Sequence, residues 1–182
     1  RVGVTGLIDP GGFNMAPTEY APLFDVWRNN KLTVRVNYSY FAQKRNKEFE
    51  EFKELTQLLP MKFGDDMLRF NGIGERVTFS MYNNDKATPE DQAKFYEVAR
   101  WAAQNGYTLT QHWHEDASMA SLLEVFEKVN QEFPIAKLRW SIAHLNNGTE
   151  ATFKRMKALG VGLGAFDLHD VSVMKLTSGQ PT

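Results

Sequence analysis

The 182-residue chain contains no cysteine. Disulfides, thiolate zinc sites and cysteine nucleophiles are therefore all excluded. It also has no excess of positive charge: 21 basic and 22 acidic side chains leave a formal net charge of −1. A general nucleic-acid binder or a polybasic membrane anchor would carry a basic face, so neither class of partner is expected. No apolar run reaches the roughly 18 residues needed to span a bilayer, and the expected setting is cytoplasmic. Histidine is scarce as well. The four residues are His112, His114, His144 and His169, so imidazole chemistry has few places to occur.

What is present is an alternation. Apolar, β-rich runs at Gly3–Ile8, Leu32–Tyr40, Met67–Ile73, Tyr107–His112, Leu138–Ala143 and Val161–Ala165 are nearly continuous rather than cleanly alternating, the pattern of strands covered on both faces. Amphipathic stretches lie between most of them, at Thr18–Arg28, Asn46–Leu59, Pro89–Asn105, Ala117–Glu132 and Thr149–Leu159. Several carry end signals. Thr88 precedes Pro89 with Asp91 three positions on, a capping box. Asp116 and Thr149 are candidate N-caps, and Asn105-Gly106 and Gly160 are stop signals. Strand and helix repeat every ~20 to 40 residues without a linker, which predicts one α/β domain over residues 1–182.

Two α/β forms compete at this point. A doubly wound sheet usually has a phosphate-binding turn after its first strand, but Asp9-Pro10-Gly11-Gly12 is not GxGxxG. A closed (β/α)8 barrel needs about 250 residues, and six strands are counted here. The sheet is open, or the chain is an incomplete barrel. Arg1, not Met, opens the sequence, and the expectation is a piece of a longer product.

His112 and His144 end successive predicted strands, on the edge where α/β folds build their active sites. Two imidazoles there can share one Zn²⁺ at ~2.0–2.1 Å each, or be separate hydrogen-bonded structural residues. His114 reads as a loop residue that contacts substrate, moves protons or is simply solvated. Trp113 reads as a pocket wall or as packing, Arg69 as a substrate-carboxylate site or a structural ion pair, and Glu75 as an oxygen ligand or a loop residue. The charge run from Asn46 to Glu54 reads as a solvated helix face.

Three segments together resemble the amidohydrolase superfamily, in the branch that includes N-substituted formamide deformylase. Gly3-Val4-Thr5-Gly6-Leu7-Ile8-Asp9-Pro10-Gly11-Gly12 is similar to that branch's GVT-x-x-xDPGG segment. His112-Trp113-His114-Glu115-Asp116 is similar to its H-x-x-G-D segment, with Glu115 in the glycine position. Arg139-Trp140-Ser141-Ile142-Ala143-His144 is similar to its R-x-x-I-x-H segment. The resemblance implies an incomplete (β/α)8 TIM barrel of the metal-dependent hydrolase type, spanning about strands two to seven. It implies cleavage of a C–N bond in a small amide-type substrate by metal-activated water. It implies a divalent cofactor, zinc, as one or two ions in the parent enzyme, with His112 and His144 as ligands. The family also takes an H-x-H pair from its first strand, which would precede Arg1, and an aspartate from its last; Asp167 and Asp170 lie too near the Val161–Ala165 strand to be equated with it. Its fourth-strand lysine is matched by Arg69, which cannot be carboxylated. The resemblance therefore places activity in a longer parent, with little in this chain alone, and unpaired strand edges predict self-association. The alternative is a non-catalytic α/β module binding a small molecule or partner.

Overall fold

The computed structural model describes residues 3–12 and 15–164. His169, Asp167 and Asp170 lie outside them. Strands β1 (Gly6–Asp9), β2 (Arg35–Tyr40), β3 (Leu68–Glu75), β4 (Leu109–Glu115), β5 (Ser141–Asn146) and β6 (Gly162–Gly164) alternate with helices α1 (Ala21–Arg28), α2 (Glu48–Thr56), α3 (Pro89–Gln104), α4 (Met119–Glu132) and α5 (Glu150–Leu159). Short 3-10 turns at Pro17–Tyr20 and Asp116–Ser118 lead into α1 and α4.

All the strand pairings are parallel, and the spatial order is β1-β2-β3-β4-β5-β6. That order decides between the two α/β forms. A doubly wound sheet reverses direction at a switch point, and this one does not. Each strand is laid beside the last in one sense, the winding of a (β/α)8 barrel. The six strands form a half-barrel.

Helix ends follow local chemistry. Thr88 Oγ1 accepts from the Asp91 amide while Asp91 Oδ2 accepts from the Thr88 amide at 2.9 Å. Thr149 Oγ1 accepts from the Thr152 amide, and Gly160 ends α5 with φ 69°. Asp116 is a correction: it does not cap α4, and its Oδ1 instead accepts from the Thr149 amide at 3.1 Å. The charge run is a partial correction. Glu48 and Glu51 of α2 are buried, accepting from the Phe79 amide and from the Gln43 and Lys44 amides.

The core lies between the helices and the sheet. Phe52, Phe70, Phe95, Trp113, Phe126 and Trp140 are fully buried in it, each contributing on the order of 1.5–3 kcal/mol relative to exposure. No helix among the described residues is long and apolar enough to cross a membrane.

Candidate metal centre

β4 extends past His112 to Glu115. Alternation along a strand puts residues two apart on one face, so His112 and His114 share a face and Trp113 takes the other. Thr110 Oγ1 meets Ser141 Oγ at 2.9 Å on the His112 side. Trp113 is 0% exposed within the core cluster, and its Nε1 donates to Glu115 O and Ser118 Oγ, both at 3.1 Å. Of the two readings of Trp113, pocket wall or packing, its place in the core cluster is the packing one.

His144 reaches the same space by breaking the alternation of β5. Ile142 and Leu145, three apart, both belong to the core cluster, whereas an unbroken strand allows only even spacings on one face. The parity changes beside His144, whose φ is 77°, a region uncommon for residues with a side chain. The result is three imidazoles in contact. Ring centroids are 4.5 Å apart for His112–His114 and His112–His144, and 5.1 Å for His114–His144. One ligand atom from each lies within 4.8 Å of the others.

A carboxylate joins them from β3. Gly74 has φ 144°, and a Cβ there would sit 2.2 Å from Thr110 O, so β4 packs against bare backbone. The next residue, Glu75, brings Oε2 to 2.7 Å from His112 Nδ1 and 3.4 Å from His144 Nε2. The three side chains are 15%, 14% and 25% exposed, respectively. Two ligand atoms on one tetrahedral zinc stand about 3.3 Å apart, given bonds of ~2.0–2.1 Å. The 3.4 Å spacing fits co-ligands of one small ion and the 2.7 Å spacing is a hydrogen bond, and three imidazoles with a neighbouring carboxylate form a donor set suited to a divalent transition metal.

The surroundings are aromatic and cationic. The Tyr82 ring stacks on His112 with centroids 4.5 Å apart and planes at 27°. Burial, reinforced by the negative charge of Glu75, holds the Tyr82 phenol above its usual pKa. Arg76 is buried with its guanidinium 4.2 and 3.9 Å from the Phe41 and Phe79 ring centroids, and its Nε donates to Ala42 O at 2.8 Å. Burial lowers its pKa from the ordinary guanidinium value. The first strand's Asp9-Pro10-Gly11-Gly12 turn is tied down nearby. Tyr20 OH donates to Asp9 Oδ2 at 2.7 Å, and the Gly12 amide donates to Tyr20 OH at 3.1 Å. Gly11 packs so closely on Gly74 O that no Cβ fits.

Arg69 lies elsewhere, in the ion pair that was one of its two readings. It is the second residue of β3, at the opposite end of the strand from Glu75. There it pairs with Asp66 and donates from Nε to Asp65 O at 2.6 Å. His112 and His144 meet as read from the sequence. His114 belongs to the cluster rather than to a loop, and the H-x-H spacing on a strand was the available signal. Glu75, read as an oxygen ligand or a loop residue, is the β3 residue beside the histidines.

Two solved structures resemble this fold, both described as uncharacterized metal-dependent hydrolases. The one from Pyrococcus horikoshii OT3 has a TM-score of 0.57 and 16% identity over 87% of this chain. The one from Pyrococcus furiosus has a TM-score of 0.58 and 20% identity over 88%. The chain spans about a third of their length, 32% and 33%. No curated protein matches it. The sequence profile described as "Amidohydrolase family" matches residues 1–180, and the chain belongs to that family.

Proposed function

We propose that this chain forms the central part of a metal-dependent amidohydrolase that cleaves a C–N bond in a small amide-type substrate. The observation that carries the reading is the convergence of Glu75, His112, His114 and His144 from three neighbouring strands onto one space. That space lies at the C-terminal rim of the sheet, where barrel enzymes place their chemistry. The resemblance of the Asp9–Gly12, His112–Asp116 and Arg139–His144 segments to the N-substituted formamide deformylase branch supports the finer assignment.

Each residue then has a part. His112 and His144 would hold the ion with His114 as a third imidazole. Glu75 would either ligate beside them or hold His112 through Nδ1 while the other ring nitrogen ligates. In both arrangements its charge offsets part of a dication in a half-buried site. A divalent ion bound there supplies an acidified water and polarises the scissile carbonyl. Zinc is the ion that the donor set suits best. The two departures from the family pattern, Arg69 in the lysine position and Glu115 in the glycine position, lie off the cluster, since Arg69 is at the far end of β3 and Glu115 is exposed.

The test is calorimetric titration of the chain with Zn²⁺, followed by assay of the full-length enzyme on N-formyl and N-acyl amines. One ion per chain is expected, with uptake abolished in a His112→Ala/His144→Ala double variant. Equal uptake by that variant would overturn the reading.

A further inference from the structure

Between β3 and α3, three consecutive residues grip β4 at the positions that carry the histidines. Gln111 Nε2 donates to Met81 O at 3.2 Å. The Tyr82 ring stacks on the His112 imidazole. The His114 amide donates to Asn83 Oδ1 at 2.7 Å. Met81 and Gln111 are both fully buried, so the first of these grips is anchored in the core. Asn83 adopts φ 50°, a left-handed turn that asparagine tolerates better than most residues, and its side chain bonds β4. The connection is also braced on itself and on the next loop. Asn84 Nδ2 donates to Ser80 O at 2.7 Å, and Ser118 Oγ donates to Asp85 Oδ1 at 3.0 Å.

We infer that Tyr82 is the positioning residue for His112, its ring face fixing the imidazole plane so that the ring nitrogens meet Glu75 and the ion. The inference rests on the metal-site reading above and deepens it. The terminal torsion of histidine is broad and roughly two-fold, so a strand alone fixes where the ring is but not how it is turned. Glu75 bonds one ring atom, Nδ1, from the end of a flexible side chain, and the ring can still turn together with that carboxylate. A stacked ring on the face removes that remaining freedom. Offset or tilted aromatic stacking is favourable in itself, and the backbone grips on either side of Tyr82 keep its ring in place. The aromatic wall of the centre is thus Tyr82, from the connection, and not Trp113, from the strand.

The chain titrated with Co²⁺ alone tests this, reading both affinity and the ligand-field absorption of the bound ion. Tyr82→Phe keeps the ring and is expected to match the unaltered chain in both. Tyr82→Leu keeps apolar bulk without a ring face, and is expected to bind Co²⁺ about tenfold more weakly, the low end of what outer-shell partners of a metal site contribute, with an altered band shape. Should Tyr82→Ala fail to fold by far-UV circular dichroism, the leucine variant carries the comparison. Unchanged affinity and spectrum in Tyr82→Leu, with uptake abolished in His112→Ala, would overturn the role of Tyr82 alone. Loss in Tyr82→Phe would overturn the stacking account by assigning the effect to the hydroxyl. No Co²⁺ uptake by the unaltered chain would overturn the metal reading and this inference with it.

Discussion

His144 carries a side chain at φ 77°, a conformation that costs on the order of 1–3 kcal/mol for a non-glycine residue. The strain buys the parity change that turns its ring toward His112. His144→Gly is therefore expected to raise the stability of the metal-free chain by about 1 kcal/mol in urea denaturation, while removing one imidazole of the candidate metal centre. A loss of stability instead would show that the imidazole contacts outweigh the backbone strain. At Glu75 the expected balance is opposite. Glu75→Gln keeps the shape and removes the charge, so the fold is retained and metal affinity falls about 10- to 100-fold by titration. At this scale the sequence is partly legible. His112 and His144 stand out because strand-end imidazoles in an α/β chain have a known rim to occupy. Trp113 and Arg69 each keep two readings in the sequence for one reason: composition names a residue but not its face or its height along a strand. Trp113 faces the helices by parity, and Arg69 lies a whole strand length from the rim.

Strand ends explain the misses. Apolar periodicity ends β3 at Ile73, β4 at His112 and β5 at Ala143, whereas these strands run on to Glu75, Glu115 and Asn146. The extra residues are mostly polar because the rim faces ligand rather than core, so hydrophobicity stops where function begins. Helix ends were more legible, since a cap is a local hydrogen bond that needs no tertiary knowledge. The exception, Asp116, was drawn to the Thr149 amide by a neighbouring connection. α3 allows a quantitative check. Thr88→Ala is expected to cost about 1 kcal/mol near neutral pH. The hydrogen bonds from the Thr88 amide and hydroxyl hold the Asp91 carboxyl below the usual carboxylate value. A depressed pKa gives stability that is present above the unfolded value of about 3.9 and is lost as pH falls through the folded one. The gap between the unaltered chain and Thr88→Ala should thus narrow on going from pH 7 to pH 3 in urea denaturation. A gap independent of pH would mean that the Asp91 half of the box contributes nothing.

At the scale of the whole molecule, the half-barrel has a sheet edge to account for. β1 pairs with β2 on one side and with no strand on the other among the described residues. Leu7 and Ile8, consecutive in β1, are 43% and 63% exposed, and nearby Val4 is 58% exposed. Consecutive strand residues point to opposite faces, so β1 is bare on both, where a closed barrel would bury one face inside and cover the other with helices. An exposed apolar edge with unpaired amides is a template for another strand. The chain by itself is therefore expected to self-associate over the micromolar to millimolar range, measured by sedimentation velocity. Leu7→Lys with Ile8→Lys places charge on both faces of the edge and should shift the population toward monomer. The candidate metal centre provides the contrast, because its side chains come from β3, β4 and β5 in the middle of the sheet. Ion uptake should leave the edge untouched while stabilising the fold by about 2.7 kcal/mol at a hundredfold excess over Kd, a rise of roughly 5–10 °C in Tm. If Zn²⁺ raises Tm without changing sedimentation, and the lysine pair changes sedimentation without changing Zn²⁺ uptake, the two properties are separate. Loss of Zn²⁺ uptake in the lysine pair would instead mean that the rim depends on β1, through the contact of Gly11 with Gly74 that sets the height of Glu75.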